Sequence, residues 1–281
     1  MSVSLKKLFG FGTVCVLLSM ASCGGEGDRK VVEDDGSMCV VEFEEYRYDA
    51  VAAVPDSDVL DMEGGKYWRL TGNGMLPVRI GGKDISVLRD SLERLGCVLK
   101  AGGSHSAPRL DGAPFSDMGL TLTDLDPKNT KACSTTCNQL TVALCTPEVI
   151  VWRDYSYSYL CLAAHGMYNT SFVNYSISEG KILSMSDIMK PGYEAGLTAL
   201  LRQKITEEKV SLLVPLEEVG IPKDFEITPQ GIRFMYALYE IAPYVEGEIT
   251  IDFDAYELEE LLAPGVFSRY FSVTPDQNIS E

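Results

Sequence analysis

The chain is poor in histidine, and this shortage excludes one large class of enzymes. Its 281 residues include only two histidines, His105 and His165. Metal-dependent hydrolases hold their ion with several histidine, cysteine or carboxylate ligands at close spacing. No His-rich motif of that kind is present. We therefore expect neither a bound metal nor any other cofactor.

Positive charge is also in short supply. The sequence has 24 lysines and arginines against 41 aspartates and glutamates, a formal net charge of −17. Such a chain is repelled by nucleic acid and by anionic lipid, and it attracts basic proteins through long-range steering. The acidity excludes nucleic-acid binding. It is compatible with capture of a basic partner or with solubility alone.

Long apolar runs are absent after residue 22. The earlier run, residues 8–20, follows Lys6 and Lys7 and leads into Met20-Ala21-Ser22-Cys23. This order resembles the lipoprotein signal peptides of bacteria, in which the cysteine is lipidated and becomes the new N-terminus. We expect residues 1–22 to be removed and Cys23 to anchor the protein in the cell envelope, at the outer membrane. An ordinary secretory signal is the alternative.

No later segment of the sequence approaches the length of about 18 apolar residues that a spanning helix needs. We therefore expect the protein to contact the membrane only through its lipid. Residues 23–37 are polar and glycine-rich without periodicity. We interpret them as a flexible tether.

Six cysteines remain after the signal and the lipidated residue are set aside. An even number in an exported chain favours disulfide bonds, although the sequence alone leaves the pairing open. One option is a small loop closed by Cys133 and Cys137. Buried free thiols are the alternative to disulfides, and no histidine lies nearby to complete a zinc site. The six are Cys39, Cys97, Cys133, Cys137, Cys145 and Cys161.

The N-terminal region, residues 38–163, has the pattern of strands around one helix. Alternation over residues 41–48, with a slip at Glu45, predicts a strand with a bulge. Asp84 and Gly96 delimit an amphipathic helix over residues 85–95. Residues 101–139 predict a long loop. After it, strands 141–151 and 155–160 would flank a turn at Arg153-Asp154, with Tyr155, Tyr157 and Tyr159 on one face.

Residues 164–265 form the second predicted region, followed by a tail over residues 266–281. Strands are expected at 171–177, 225–227, 232–236 and 248–253, with a helix at 193–208 and a short helix after Asp254. Together the two regions predict an α+β fold, a mainly antiparallel sheet with helices packed on one face.

Several phrases of the second region, taken in order, resemble a known family. The order is similar to the C-terminal domain shared by RsiV-type lysozyme-binding anti-sigma factors and PdaC-type peptidoglycan deacetylases, a domain-of-unknown-function family common in exported lipoproteins. The resemblance covers about residues 164–263. The phrases are Ala164-His165-Gly166, residues 180–188, Pro191-Gly192-Tyr193, and Tyr239-Glu240-Ile241-Ala242-Pro243-Tyr244 with Gly247.

The resemblance implies a recognition domain at the cell envelope. It implies neither sigma-factor control, because a cleaved lipoprotein leaves no cytoplasmic part, nor deacetylation, because the separate metal-dependent domain has no counterpart here. The candidate contact residues are Glu240 and Tyr244, on a loop whose backbone Pro243 and Gly247 would fix. His165 is the third candidate, and a structural role in its turn is the alternative.

Two functions follow from these observations. The first is a non-catalytic envelope lipoprotein that binds a basic wall-cleaving enzyme, such as lysozyme, or peptidoglycan itself. The second is a glycan- or peptide-hydrolysing enzyme that uses paired carboxylates drawn from sites such as Glu240, Asp187 and Asp252. Glycosidase carboxylates must face each other across the cleaved bond, and sequence spacing does not establish such a pair. The oligomeric state is left open.

Overall fold

The computed structural model describes residues 41–96 and 119–271. Two sheets organise this part of the chain. The first contains β1 (Val41–Ala53), β2 (Tyr67–Ile80), β3 (Thr121–Thr123), β4 (Ser134–Cys145), β5 (Val149–Tyr159), β6 (Met167–Ser176) and β7 (Lys181–Ile182). The second contains β8 (Asp224–Ile227), β9 (Gly231–Tyr236) and β10 (Ile249–Asp254). The helices are α1 (Ser86–Leu95), α2 (Met185–Ile188), α3 (Glu194–Glu207) and α4 (Val266–Tyr270).

The first sheet has the strand order β3-β1-β2-β4-β5-β6-β7. Every neighbouring pair in it is antiparallel except β2 with β4, which is parallel. A parallel pair requires a crossover connection, and this one includes α1. The predicted bulge in β1 is present, but it lies between Glu42 and Phe43 rather than at Glu45.

Helix α1 forms where its local signals predict it. The side chain of Asp84 accepts a hydrogen bond from the backbone N–H of Ser86 at 2.9 Å. Leu88 and Leu92, one turn apart on the same face, are fully buried against the first sheet beside Trp152. At the C-terminal end the N–H of Gly96 bonds to the carbonyl of Leu92. The capping side chain and the apolar stripe therefore explain the helix.

The second sheet is fully antiparallel, with the order β10-β9-β8. Helix α3 packs on one of its faces, where Leu197, Leu201 and Ile205 join Phe234 and Ile251 in a buried cluster. Val149 and Val151 of β5 belong to the same cluster. The two sheets thus share a core, and the predicted α+β class with a mainly antiparallel sheet is confirmed.

The side chain of Asn174 fixes the contact between the sheets. Its amide nitrogen donates to the carbonyl of Phe225, and its amide oxygen accepts from the N–H of Ile227, both at 2.8 Å. Asn174 lies on β6 while its partners lie on β8. The predicted regions 38–163 and 164–265 therefore meet inside one structure, since β5 and β6, on either side of that boundary, are hydrogen-bonded neighbours.

Two predicted segments before β6 differ from the structure. The loop predicted over residues 101–139 contains β3 and the first residues of β4, because Ser134, Thr136 and Asn138 alternate inward with polar rather than apolar side chains. The turn predicted at Arg153-Asp154 does not form, and β5 runs through it. The true turn comes earlier, where the hydroxyl of Thr146 accepts hydrogen bonds from the N–H groups of Glu148 and Val149.

The chain after β10 also differs from its prediction. The short helix expected after Asp254 is a series of turns, although its apolar residues Leu258 and Leu262 are buried. Part of the predicted tail is ordered as α4, since Val266, Tyr270 and Phe271 join the shared core. Gly265 begins this helix with a φ of +83°. Apolar burial, rather than regular periodicity, holds this end of the chain in place.

Among the described residues, no helix combines the length and apolar character needed to cross a membrane.

Candidate functional site

Five aromatic rings from both sheets meet at the surface, and we call them the ring cluster. They are Tyr155 on β5, Tyr168 on β6, His165 in the loop between these strands, and Tyr239 and Tyr244 in the loop after β9. Their centroids form a chain of contacts. Tyr155 lies 6.2 Å from Tyr168, Tyr168 lies 6.2 Å from Tyr244, and Tyr244 lies 5.8 Å from Tyr239.

His165 lies at the centre of these contacts. Its ring stacks on Tyr244 with the centroids 3.9 Å apart and the planes inclined by 27°. Its Nδ1 lies 3.0 Å from the carbonyl oxygen of Gly166. A carbonyl only accepts, so Nδ1 carries the proton, and Nε2 lies 3.3 Å from the hydroxyl of Tyr239.

Tyr244 is held by the same carbonyl. Its hydroxyl donates to the oxygen of Gly166 at 2.8 Å, so the histidine and the tyrosine share one acceptor. The backbone around Tyr244 is set as the sequence predicts, since Pro243 precedes a single 3₁₀ turn (Tyr244–Glu246) and Gly247 follows it with a φ of +77°. A side chain on Gly247 would also approach the hydroxyl of Tyr168 to 3.0 Å. The loop conformation therefore depends on glycine there.

The ring cluster is partly exposed, and one exposed apolar side chain lies next to it in the chain. Tyr239 is 46% exposed and Val245, next to Tyr244, is 88% exposed. His165 itself is exposed, and Tyr155, Tyr168 and Tyr244 are partly exposed. Tyr239 adopts a positive φ of 64°, which is uncommon for a residue with a bulky side chain. Local strain of this kind is often found at binding sites.

Carboxylates lie beside the rings. Glu248 accepts hydrogen bonds from the N–H of Thr170 at 2.5 Å and from its hydroxyl at 2.8 Å. Burial, and then the charge of Glu248, raise the pKa of Tyr155. Burial also raises the pKa of Asp224. A backbone hydrogen bond from Phe172 and the charge of Lys223 oppose this shift, while the nearby charges of Glu240 and Glu248 add to it. The ring cluster therefore lies at the edge of a negatively charged surface.

Two of the three contact residues expected from the sequence belong to the ring cluster, and the third does not. His165 and Tyr244 are in direct contact. Glu240 is adjacent to Tyr239 in the chain, but its exposed carboxylate accepts from the N–H of Ala237 at 2.8 Å and closes its own turn. Its charge contributes to the negative surface, and no described contact joins it to a ring.

The carboxylates considered for hydrolysis are engaged elsewhere. Asp187 caps α2 and pairs with Lys181; burial opposes ionisation, but the hydrogen bonds from Lys181 and Ser184 lower its pKa to about 2. Asp252 accepts two hydrogen bonds from Arg233, at 2.7 and 3.0 Å. No described contact joins Asp187, Asp252 and Glu240. They do not form an acid–base pair in this structure.

The tyrosine face of β5 is divided between two roles. Tyr155 belongs to the ring cluster, as described above. Tyr157 packs against the backbone of Gly166, where an added Cβ would approach the tyrosine ring to 2.4 Å. Tyr157 therefore packs on the loop between β5 and β6, and this contact requires glycine at position 166.

Tyr168, Thr170 and Glu248 were not identified from the sequence. Alternation along β6 places Tyr168 and Thr170 on one face and Asn169 on the other. The predicted strand began only at residue 171 and therefore missed both residues. Glu248 could be recognised only from its contact with Thr170, which lies 78 positions away in the chain.

The disulfide in the structure is not the Cys133–Cys137 pair considered from the sequence. A disulfide joins Cys133 to Cys161, with the Cα atoms 5.2 Å apart, and Cys137 is a free thiol. The expectation of at least one disulfide is confirmed. The Cys133–Cys137 loop is wrong because both residues lie on one extended segment, four residues apart, which separates their side chains. Cys23, Cys39, Cys97 and His105 lie outside the described residues.

A metal site is not built from the usual ligands. Within residues 41–96 and 119–271, no group of three or more histidine, cysteine, aspartate or glutamate side chains is arranged to hold an ion.

An open groove of about 900 Å³ lies elsewhere on the surface and shares no residue with the ring cluster. It is lined by residues 59–64, 66 and 67 together with Leu125, Asn129, Thr130 and Lys131.

These features can be compared with known proteins. Residues 186–255 match a family described as "Protein of unknown function (DUF3298)". This span contains Glu240 and Tyr244 but not His165. No curated protein matches the chain.

Two solved structures share the architecture. A DUF3298 family member from Bacteroides fragilis has a TM-score of 0.55 and 22% identity, over 83% of this chain and 98% of its own. A DUF3298 family protein from Pseudomonas aeruginosa has a TM-score of 0.52 and 16% identity, over 80% of this chain and 96% of its own. The chain thus shares the fold of these DUF3298 proteins, and residues 186–255 match the DUF3298 family.

Proposed function

We propose that the protein is a non-catalytic lipoprotein of the cell envelope that binds a basic, wall-cleaving enzyme through the ring cluster. The observation that carries this proposal is the set of five rings, drawn from two sheets and left at the surface beside carboxylates. Tyrosine is among the side chains that dominate protein interfaces, because it buries a large ring at low entropic cost and keeps a polar end.

The charge of the chain supports a basic partner. A formal net charge of −17 attracts a positively charged protein over a distance set by salt. Glu248 places part of that charge beside Tyr155, and Asp224 lies within the electrostatic influence of Glu240 and Glu248. Acidic residues at the rim would steer the encounter, while the rings would supply the contact that sets the dissociation rate.

The family resemblance supports the same direction. The chain phrases around His165 and residues 239–247 resemble the RsiV-type and PdaC-type domain, and three of the five rings, His165, Tyr239 and Tyr244, come from these two phrases. The relation to RsiV-type and PdaC-type proteins is part of this proposal, because the match to the DUF3298 family does not by itself specify it. The lipobox ending in Cys23 supports attachment to the envelope, at the outer membrane.

The placement of the acids favours binding over hydrolysis. Asp187 is used as a helix cap, Asp252 is paired with Arg233, and Glu240 closes a turn. A glycosidase needs two carboxyl groups about 5 to 9.5 Å apart across an open site. The three candidates are held by separate local contacts instead.

Peptidoglycan is the second candidate ligand. The consecutive ring contacts from Tyr155 through Tyr168 to Tyr244 favour it, because sugar rings stack on aromatic faces. Sugars are uncharged at most positions, so such binding would depend weakly on salt.

The test is a binding titration of the mature protein with lysozyme at about 10 mM and 150 mM salt, where the Debye length falls from roughly 30 to 8 Å. Association should slow steeply over that range. Tyr244→Ala should weaken binding about thirtyfold, the effect of losing a central interface tyrosine worth about 2 kcal/mol. Glu240→Ala should mainly slow association.

Two controls separate contact from folding. Tyr244→Phe keeps the ring and should bind nearly as well as the wild type. Tyr256→Ala removes another exposed tyrosine, 60% accessible and packed only near Phe267, and should leave binding unchanged. Equal affinities for Tyr244→Ala and the wild type would remove the ring cluster from the site. Sedimentation with purified peptidoglycan, in place of lysozyme, would select the second candidate.

A further inference from the structure

Three sulfur atoms converge at a second place in the molecule, independently of the ring cluster. The Sδ atom of Met62 lies 3.3 Å from Sγ of Cys161 and 3.8 Å from Sγ of Cys133. Met62 belongs to the connection between β1 and β2, Cys133 precedes β4 and Cys161 follows β5. Three separate segments thus bring their sulfur atoms together.

Backbone contacts hold these segments in place apart from the disulfide. The N–H of Cys133 donates to the carbonyl of Gly64 at 3.0 Å, next to the turn that carries Met62. The N–H of Cys161 donates to the hydroxyl of Ser134 at 3.0 Å. The Cα atoms of the two cysteines are 5.2 Å apart. These contacts would keep the three sulfurs close after the S–S bond is broken.

We propose that reduction of the Cys133–Cys161 disulfide converts this cluster into a binding site for Cu(I). Two thiolates and one thioether are soft ligands, which select Cu(I) over hard cations. Three sulfurs at about 2.3 Å from a central ion, a usual metal–thiolate distance, are about 4 Å from one another. Met62 already lies at nearly this distance from both cysteines, so only the two Sγ atoms need to separate.

The chemistry balances with a dithiol as the reductant. The dithiol gives two electrons to the Cys133–Cys161 bond and becomes a disulfide, and the protein gains two thiols. Cu(I) then binds both sulfurs as thiolates and displaces their two protons to solvent, while the thioether of Met62 binds without a proton change.

The exposure of the sulfur ligands and their chemical type both favour Cu(I). Met62 is 44% exposed and lines the open groove of about 900 Å³, so this ligand is accessible to a copper donor from the groove. Cys161 is only 7% exposed, so the ligands are shielded from behind. Zinc is disfavoured because it takes four ligands of nitrogen, oxygen or thiolate sulfur, and no such group exists among the described residues.

The experiment measures Cu(I) affinity of the mature protein by competition with a chromophoric Cu(I) chelator, before and after reduction with a dithiol. The oxidised protein should not compete. The reduced protein should bind, and Met62→Leu should weaken its binding about tenfold or more. Met167→Leu is the matched control, since Met167 is similarly exposed at 41% but lies on β6. It should bind as the wild type does.

Copper-edge X-ray absorption of selenomethionine-labelled, reduced protein gives a direct readout. A selenium neighbour should be seen and should vanish in Met62→Leu. Equal Cu(I) affinities in Met62→Leu and the wild type, or a spectrum without selenium, would overturn the site. Cys133→Ser/Cys161→Ser should abolish the reduction-dependent binding. If that variant does not fold, the Met62 comparison alone decides.

Discussion

Arg153 on β5 donates hydrogen bonds of 2.9 and 3.0 Å to the two carboxylate oxygens of Glu226 on β8. Arg233 donates to the same carboxylate at 3.2 Å. Glu226 is only 4% exposed, so its charge depends on these two guanidinium groups. The ion pair links the seven-stranded sheet to the three-stranded sheet, beside the Asn174 contact.

This pair predicts a large loss of stability when one partner is removed. Arg153→Met should lower the free energy of unfolding by about 2–3 kcal/mol, because it leaves a buried carboxylate with one partner fewer. Arg69→Met is the control, since Arg69 and Asp49 form an exposed pair and should contribute less than about 1 kcal/mol. Urea denaturation measures both. Similar losses in the two variants would contradict the role assigned to Arg153.

Asp154 predicts a dependence of stability on pH. It is 5% exposed, its Oδ1 has no hydrogen-bond partner in the described structure, and burial raises its pKa to about 7. The folded state therefore keeps a proton that the unfolded state has lost above about pH 4. Its contribution to stability falls as the pH rises from about 4 to 7, by up to roughly 1.4 kcal/mol per pH unit.

Asp154→Asn should remove that slope and stabilise the protein most at and above about pH 7, because the neutral amide needs no ionisation. Urea midpoints measured from pH 5 to 8 would show the flattening. Asp124→Asn, at an exposed position, should leave the profile of the wild type unchanged. A slope that persists in Asp154→Asn would assign the dependence to another group.

The disulfide predicts a further stability difference. It closes a loop with a sequence separation of 28 residues. Its loss in Cys161→Ser should lower the free energy of unfolding by about 3–4 kcal/mol in the oxidised protein. Cys137→Ser, which removes a free thiol, should have a much smaller effect. If adding a reductant to the wild type leaves the urea midpoint unchanged, the disulfide does not stabilise this fold.

The lipobox ending in Cys23 predicts that the precursor is lipidated at this cysteine and cleaved before it. Cys23→Ser should leave an uncleaved, unlipidated chain, because lipidation of the cysteine precedes cleavage at a lipobox. Metabolic labelling with a fatty acid, followed by gel mobility, measures this. Label that stays on the variant, or is missing from the wild type, would exclude the lipoprotein assignment.

Local patterns in the sequence predicted local structure well. Asp84, the leucine stripe and Gly96 predicted α1, because each signal acts between residues within one or two turns of the helix. Arg153 and Asp154 misled for the same reason. Adjacent charged residues usually lie in a turn, whereas here one is paired with Glu226 and the other is buried in a strand.

The sequence by itself determined the acidity, the lipobox at Cys23, the α+β class and the two segments that carry His165 and Tyr244. Only the tertiary structure decided that these two rings stack, that Cys133 pairs with Cys161, and that Met62 lies against that disulfide. The physical reason is the distance along the chain between the residues that interact. Caps and periodicity depend on neighbours in the chain, whereas these contacts join distant segments that strand order and the packing of two sheets bring together.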